Sequence, residues 1–201
     1  MTTLAPRSDL DRMRWPDEVR APVDATDNAA CDAIVGTATP RLDRVLVGVS
    51  NAANYSRLRL ATAAAVAVVG GGRGRRAAGQ GMLAIALTST VTNLILNPLA
   101  RRQRPAPAAG RPVPDTRRVR RTVSPSFPSG HAASAFAFAS AMGHAAPGAR
   151  LPLRVAAATV AYSRVHTGVH DPSDVAIGVV IGDLCGWAVG RLAHRMASSR
   201  R

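Results

Sequence analysis

The twelve residues Ser163–Asp174 read SRVHTGVHDPSD and hold one arginine, two histidines and two aspartates. His170 and Asp174 stand four apart, beside the start of an expected helix. At that spacing the carboxylate can accept one ring N–H of His170, fix its tautomer and support a positive imidazole. A histidine held in this way can attack phosphorus. Upstream, Phe127-Pro-Ser-Gly-His131 reads as a helix entry. Proline suits a first turn, Gly130 lets backbone N–H groups approach an anion closely, and the helix N-terminus adds partial positive charge. Ser129 can donate a hydroxyl hydrogen bond. His131 is placed to protonate a departing alkoxide and then to activate water. Arg104 and Arg164 can each grip phosphate oxygens with a bidentate fork. Taken together, these groups suit phosphoryl transfer, which needs a nucleophile, an acid and positive charge around the equatorial oxygens. Taken singly, His170 with Asp174 could cap a helix, and Arg164 could be an interface arginine.

The three pieces stand in order: Arg104-Pro105, then Pro128-Ser-Gly-His131, then SR-x5-H-x3-D from Ser163 to Asp174. This pattern resembles the type 2 phosphatidic acid phosphatase/haloperoxidase superfamily, whose signature is K-x6-RP, PSGH and SR-x5-H-x3-D. The resemblance covers about Asn97 to Asp174. It implies that His170 is the nucleophile, that His131 is the acid, and that the arginines, Ser129 and Gly130 hold the phosphate. It also implies that no metal ion or other cofactor is needed. The chain departs from the signature at one place. Seven residues before Arg104, where the family has lysine, stands Asn97. Asn97 can donate hydrogen bonds but brings no charge. Arg101, one helical turn later on the same face, is expected to reach the phosphate in its place.

The elements that must carry these groups are apolar runs separated by arginine-dense loops. The chain has 201 residues and a net charge of +14, and all 26 of its basic side chains are arginine. That charge would suit nucleic acid or an anionic membrane surface. Hydrophobic residues make up 47% and aromatics 3%, so the apolar mass is chiefly Ala, Val and Leu. Apolar runs extend over Leu58–Val69, about Met82–Ala100, from His131 onward, Leu151–Tyr162 and Val175–Val189. Several fall short of the ~20 residues that cross a bilayer, but terminal arginines can snorkel. Five runs with almost no internal charge favour the membrane over nucleic acid.

The expectation is therefore an all-α, multi-pass membrane bundle of about five spanning helices. Residues 1–40 form a polar N-terminal tail, and residues 41–201 form the membrane-embedded domain. An amphipathic helix is expected where Leu42, Val45, Leu46 and Val49 recur at helical spacing. The first residues lack the basic-then-apolar pattern of a secretory leader. Cys31 and Cys185 suggest neither a disulfide framework nor a metal site. His144, His166, Asp171 and Asp183 are assigned no chemistry, and Asp183 is expected to have a buried partner. Five spans would place the arginines of the short connections on one side and the catalytic loops on the other. The positive-inside bias then puts the active site outside the cytoplasm.

The partners implied are membrane lipids and a lipid phosphate or pyrophosphate of polyprenyl or diacylglycerol type. Among such substrates are undecaprenyl pyrophosphate, phosphatidate, phosphatidylglycerophosphate and the decaprenylphosphoryl phosphoribose of cell-wall synthesis. Two further readings use the same residues: a vanadate-binding haloperoxidase, and a non-catalytic lipid-phosphate-binding protein made credible by Asn97.

Overall fold

The computed structural model describes residues 17–37, 39–53, 57–97, 114–119 and 126–199. Among these residues every regular element is helical. The helices are α1 (Asp17–Val35), α2 (Pro40–Ala52), α3 (Arg57–Val69), α4 (Gly71–Thr90), α5 (Gly130–Ala145), α6 (Arg150–His166) and α7 (Pro172–Ser198). The last turns of α4 widen into a π-helical segment, Val91–Leu96, and short 3₁₀ turns lie at Asp115–Arg117 and Pro147–Ala149.

The bundle is built around α5. Its sequence, AASAFAFASAMG, is buried without interruption from Ala132 to Gly143. Small side chains leave helix backbones free to approach closely, and α7 exploits this with glycine at every fourth position. A Cβ at Gly178 would meet the Ser129 carbonyl oxygen at 2.7 Å, one at Gly182 the Ala133 oxygen at 2.2 Å, and one at Gly186 the Ala137 oxygen at 2.5 Å. Such small-xxx-small packing is how helices associate when apolar burial in lipid supplies little driving force. On the opposite flank, α4 lays Gly81 against the Phe138 ring and Met142 of α5. Large apolar side chains point outward instead: Val69 is 87% exposed, Leu94 73% and Leu151 73%. An alanine core beneath a Leu/Val surface is the reverse of a water-soluble domain and suits a lipid surround.

Five apolar helices stand where the runs predicted them. Two of them, Gly71–Leu96 and Pro172–Ser198, are long and apolar enough to cross a membrane. The others are shorter, with 13 residues in α3, 16 in α5 and 17 in α6. The basic Arg73–Arg76 knot between the first two apolar runs lies in the first turns of α4, because the chain reverses tightly at Gly71, where φ is +55°.

The N-terminal part gains detail at two places. The segment read as a polar tail is helical over Asp17–Val35, and Asp27 is 4% exposed. Its sequence shows no sustained apolar period because its contact with the bundle is polar. The helix α2 forms where it was expected, and its apolar residues divide between the inside and the surface. Leu46 is buried together with Asp43 and Ser50, while Leu42 and Val45 face outward. Polar groups on α2 have partners inside, so its aliphatic residues are left for the surface.

Candidate active site

All the third-motif residues converge at one end of the bundle. The last turn of α6 carries Ser163, Arg164 and His166, and the chain then turns through Gly168 at φ +65°. Only a residue without a Cβ adopts that conformation at no cost. The turn is closed by N–H groups of Val169 and His170 donating to the Arg164 carbonyl at 3.1 and 3.2 Å. His170 is thus folded back beneath the end of α6 and is 2% exposed. Asp171 then opens α7 with a capping box, its side chain accepting from the Asp174 backbone while the Asp174 carboxylate accepts from the Asp171 N–H. Pro172 occupies the first turn, where its missing N–H costs nothing. Asp174 is fully buried, with Oδ2 lying 3.6 Å from His170 Nδ1. That separation is one small side-chain adjustment from a direct N–H···O bond.

The second motif is tied to the third through the backbone. Ser129 donates its N–H to the Asp174 carbonyl at 3.0 Å, and the Ser129 carbonyl accepts from Ala133 in the first turn of α5. Gly130 and His131 follow as the first residues of that helix. Ser129 is completely buried, yet its Oγ has no hydrogen-bond partner among the described residues. A buried hydroxyl without a partner costs stability. Beside a helix N-terminus it is a ready donor for an anionic oxygen.

The structure also shows how this end is braced, through residues the sequence did not single out. Asp43 on α2 is the hub. His166 Nε2 donates to Asp43 Oδ1 at 2.8 Å, Arg117 Nε to the same oxygen at 2.9 Å, and Thr39 Oγ1 also at 2.9 Å. Thr116 Oγ1 reaches Oδ2 at 3.3 Å. Arg117, only 1% exposed, also donates to the Ile34 carbonyl at 2.8 Å and to that of Thr37. One arginine from the loop between the first two motifs therefore clamps the α1–α2 corner to the end of α6. Burial raises the pKa of Asp43, but the His166 and Thr39 hydrogen bonds and the Arg117 guanidinium outweigh it. The net effect holds the carboxyl below its usual value. Two turns further along α2, Ser50 Oγ accepts from Arg164 Nη1 at 2.6 Å. From α1, Asp27 accepts from the Ser173 N–H at 2.9 Å and its hydroxyl at 2.5 Å, next to Asp174.

Of the expected site residues, Ser129, Gly130, His131, Arg164, His170 and Asp174 share this end. Arg101 and Arg104 lie outside the described residues. Asn97, with its amide turned to satisfy its neighbours, donates from Nδ2 to the Phe127 carbonyl at 2.9 Å. Its donor is thus spent on the backbone that enters the Pro-Ser-Gly-His turn. Another histidine and an acid lie away from this chemistry. His144 bonds the Ser140 carbonyl, and Asp183 holds Arg154 through two contacts of 2.7 and 3.0 Å, a partner that is about a third exposed rather than buried as expected.

The class defined by this fold and site is an all-α bundle with a histidine–aspartate pair and a second histidine at a helix start, set at one end of the helices. The family follows from comparison. The model of the PAP2 superfamily matches residues 78–197, and the chain belongs to that superfamily. Among curated relatives, decaprenylphosphoryl-5-phosphoribose phosphatase of Mycobacterium tuberculosis is 39% identical over 108 residues, covering 54% of this chain and 57% of the relative. Lipid A 4'-phosphatase of Bacteroides thetaiotaomicron is 33% identical over 125 residues, covering 58% and 55%. The chain spans a little over half the length of these relatives. Among solved structures, a transmembrane PAP2 type phosphatidylglycerolphosphate phosphatase from Bacillus subtilis shares the fold with TM-score 0.66 and 24% identity, covering 87% of each chain. Aquifex aeolicus LpxE follows with TM-score 0.58 and 23% identity, covering 80% of this chain and 92% of that one.

Proposed function

We propose that the chain is a membrane phosphatase that hydrolyses a lipid phosphate or pyrophosphate, without a metal ion, through a phosphohistidine on His170. The observation that carries this reading is the Ser129 N–H···O=C Asp174 bond. It joins the helix-entry anion site to the histidine–aspartate pair, so a phosphate at the start of α5 sits beside the nucleophile.

In the first step the imidazole of His170 attacks phosphorus through the nitrogen not facing Asp174, and the P–O bond to the lipid breaks. Asp174 holds Nδ1–H and stabilises the positive ring, while His131 gives its proton to the leaving alkoxide. In the second step His131 takes a proton from water, the water oxygen bonds phosphorus, and the P–N bond breaks to release phosphate and regenerate His170. Ser129, Gly130, Arg104 and Arg164 hold the equatorial oxygens. Arg101 supplies the charge that the family takes from lysine, and Asn97 steadies the Pro-Ser-Gly-His turn through the Phe127 carbonyl.

Residues 41–201 form the membrane-embedded unit, crossing the bilayer several times, with the acyl or prenyl tail lying along its exposed Leu and Val side chains. Arg73, Arg76, Arg191 and Arg195 gather at the end away from the site, which supports a cytoplasmic location for that end and an extracytoplasmic active site. The relative from Mycobacterium tuberculosis favours a polyprenylphosphoryl sugar phosphate as substrate. A panel of polyprenyl phosphates and pyrophosphates, diacylglycerol phosphates and soluble phosphomonoesters, assayed with EDTA present, tests the proposal. Release of phosphate from at least one lipid class is expected. Turnover seen only with added Mg²⁺ would sink it.

A further inference from the structure

The catalytic loops occupy one end of the bundle. At the other, roughly 20 Å along α5, a cavity of about 580 Å³ opens between the start of α4, the end of α5 and the last turns of α7. Arg73 and Arg76 line it from α4, Arg191 and Arg195 from α7, with His144 and Trp187 beside them. Among the described residues no acidic side chain lines it. The Arg191 guanidinium lies over the Trp187 ring, 5.4 Å from its centroid, which fixes one wall.

Four guanidinium groups around one hollow with no carboxylate among them repel one another, and an anion relieves that repulsion. Their planar forks match phosphate oxygens in particular. The rim shows where such an anion comes from. Trp187 is half exposed, and Leu184, Leu192 and Met196 lie outward on the same helix. A half-exposed tryptophan in the wall of a basic hollow, on a helix whose other outward side chains are aliphatic, fits the profile of a bilayer interface, with charge at headgroup depth and apolar surface below it. A free phosphate would use only the arginines, whereas a lipid would use both.

We propose that this cavity seats the phosphate headgroup of an anionic glycerophospholipid from the leaflet at the non-catalytic end, its acyl chains lying along α7. The proposal rests on the membrane reading but not on the chemistry at His170. The occupant is a bound component of the bilayer rather than the substrate. It couples the packing of α4 against α7 to the anionic lipid content of the membrane.

Trp187 is a built-in reporter. The full chain carrying Trp15→Phe, which leaves Trp187 as its one tryptophan, is reconstituted into phosphatidylcholine vesicles containing a minor fraction of a brominated lipid. Brominated phosphatidylglycerol should quench Trp187 far more strongly than brominated phosphatidylcholine at the same fraction. Neutralising one arginine from each wall, with Arg73→Gln and Arg195→Gln together, should cut that preference about tenfold or more. Arg150→Gln removes an arginine that does not line the cavity and should leave the preference intact. Equal quenching by the two lipids overturns the proposal, and this needs no arginine substitution. So does a preference that falls as far in Arg150→Gln as in the double variant, since that would report general surface charge. Inorganic phosphate at millimolar concentration separates the two sources. If it abolishes the preference for the brominated anionic lipid, the cavity is a free-phosphate site and the lipid assignment is wrong.

Discussion

Placing an alanine at Gly182 tests whether the spacing of α5 and α7 sets the catalytic geometry. The added Cβ would lie 2.2 Å from the Ala133 carbonyl oxygen and 3.0 Å from the Ala137 nitrogen, both backbone atoms that no rotamer change can move. Restoring ordinary contact requires the two helices to part by roughly 1 Å, an overpacking that costs about 1–3 kcal/mol. The helix α5 starts with Gly130 and His131, while α7 starts two residues before Asp174, so parting them strains the Ser129–Asp174 bond that joins the halves of the site. A displacement of that size is expected to cost about 100-fold in turnover. Gly182 itself is two turns from Asp174 and touches no reacting group. Gly79→Ala is the matched control, because nothing lies within 4 Å of a Cβ there, and it should leave turnover unchanged while slightly stabilising α4. The assay is kcat for lipid-phosphate hydrolysis, alongside thermal unfolding in detergent. A folded Gly182→Ala protein with wild-type kcat would refute the reasoning, since the helix spacing would then not govern the site.

Asp43→Ala strands the buried Arg117 guanidinium and should lower stability by about 3 kcal/mol, read as reduced thermal unfolding temperature. The Asp43 carboxyl is held below its ordinary value in the folded protein. Its contribution is therefore complete above the unfolded aspartate range near pH 4 and is lost as pH falls through the lower folded value; Asp43→Asn should flatten that acid-side loss. Ser129→Ala should hold or slightly raise stability, because it removes a buried hydroxyl that has no partner, yet reduce turnover about 100-fold. Arg101→Ala should cost much more turnover than Asn97→Ala, and Asn97→Lys should partly restore the Arg101→Ala protein. A silent Arg101→Ala beside an inactive Asn97→Ala would show that Asn97 makes the essential contact.

The groups of the second and third motifs were legible because their spacing is local. His170 and Asp174 are four residues apart, and Ser129, Gly130 and His131 are adjacent, so a single helix start positions each set. The five apolar helices were legible because runs with almost no internal charge leave few alternatives. The brace was not, since its contacts are long-range: Asp43 meets Arg117 across 74 residues, and Asp27 meets Ser173 across 146. Arg117 is one of eight arginines between residues 101 and 126, and nothing in its neighbours distinguishes it from the rest. Asp43 did leave a trace. It is the acid set within the Leu42, Val45, Leu46, Val49 pattern, and a charge amid apolar residues on a short helix asks for a partner. The face that α2 turns inward was not legible for the same reason, because its buried polar contacts come from distant parts of the chain.

Trapping of the covalent intermediate tests the central claim most directly. A lipid substrate labelled with ³²P at its terminal phosphate is mixed with excess protein in EDTA and quenched in alkali, where phosphohistidine survives and acyl phosphates do not. The label should be found on the peptide containing His170 and disappear in His170→Ala. In His131→Ala it should form slowly and then persist, because no base remains to activate water. Label on any other residue, or full turnover by His170→Ala, would contradict the account.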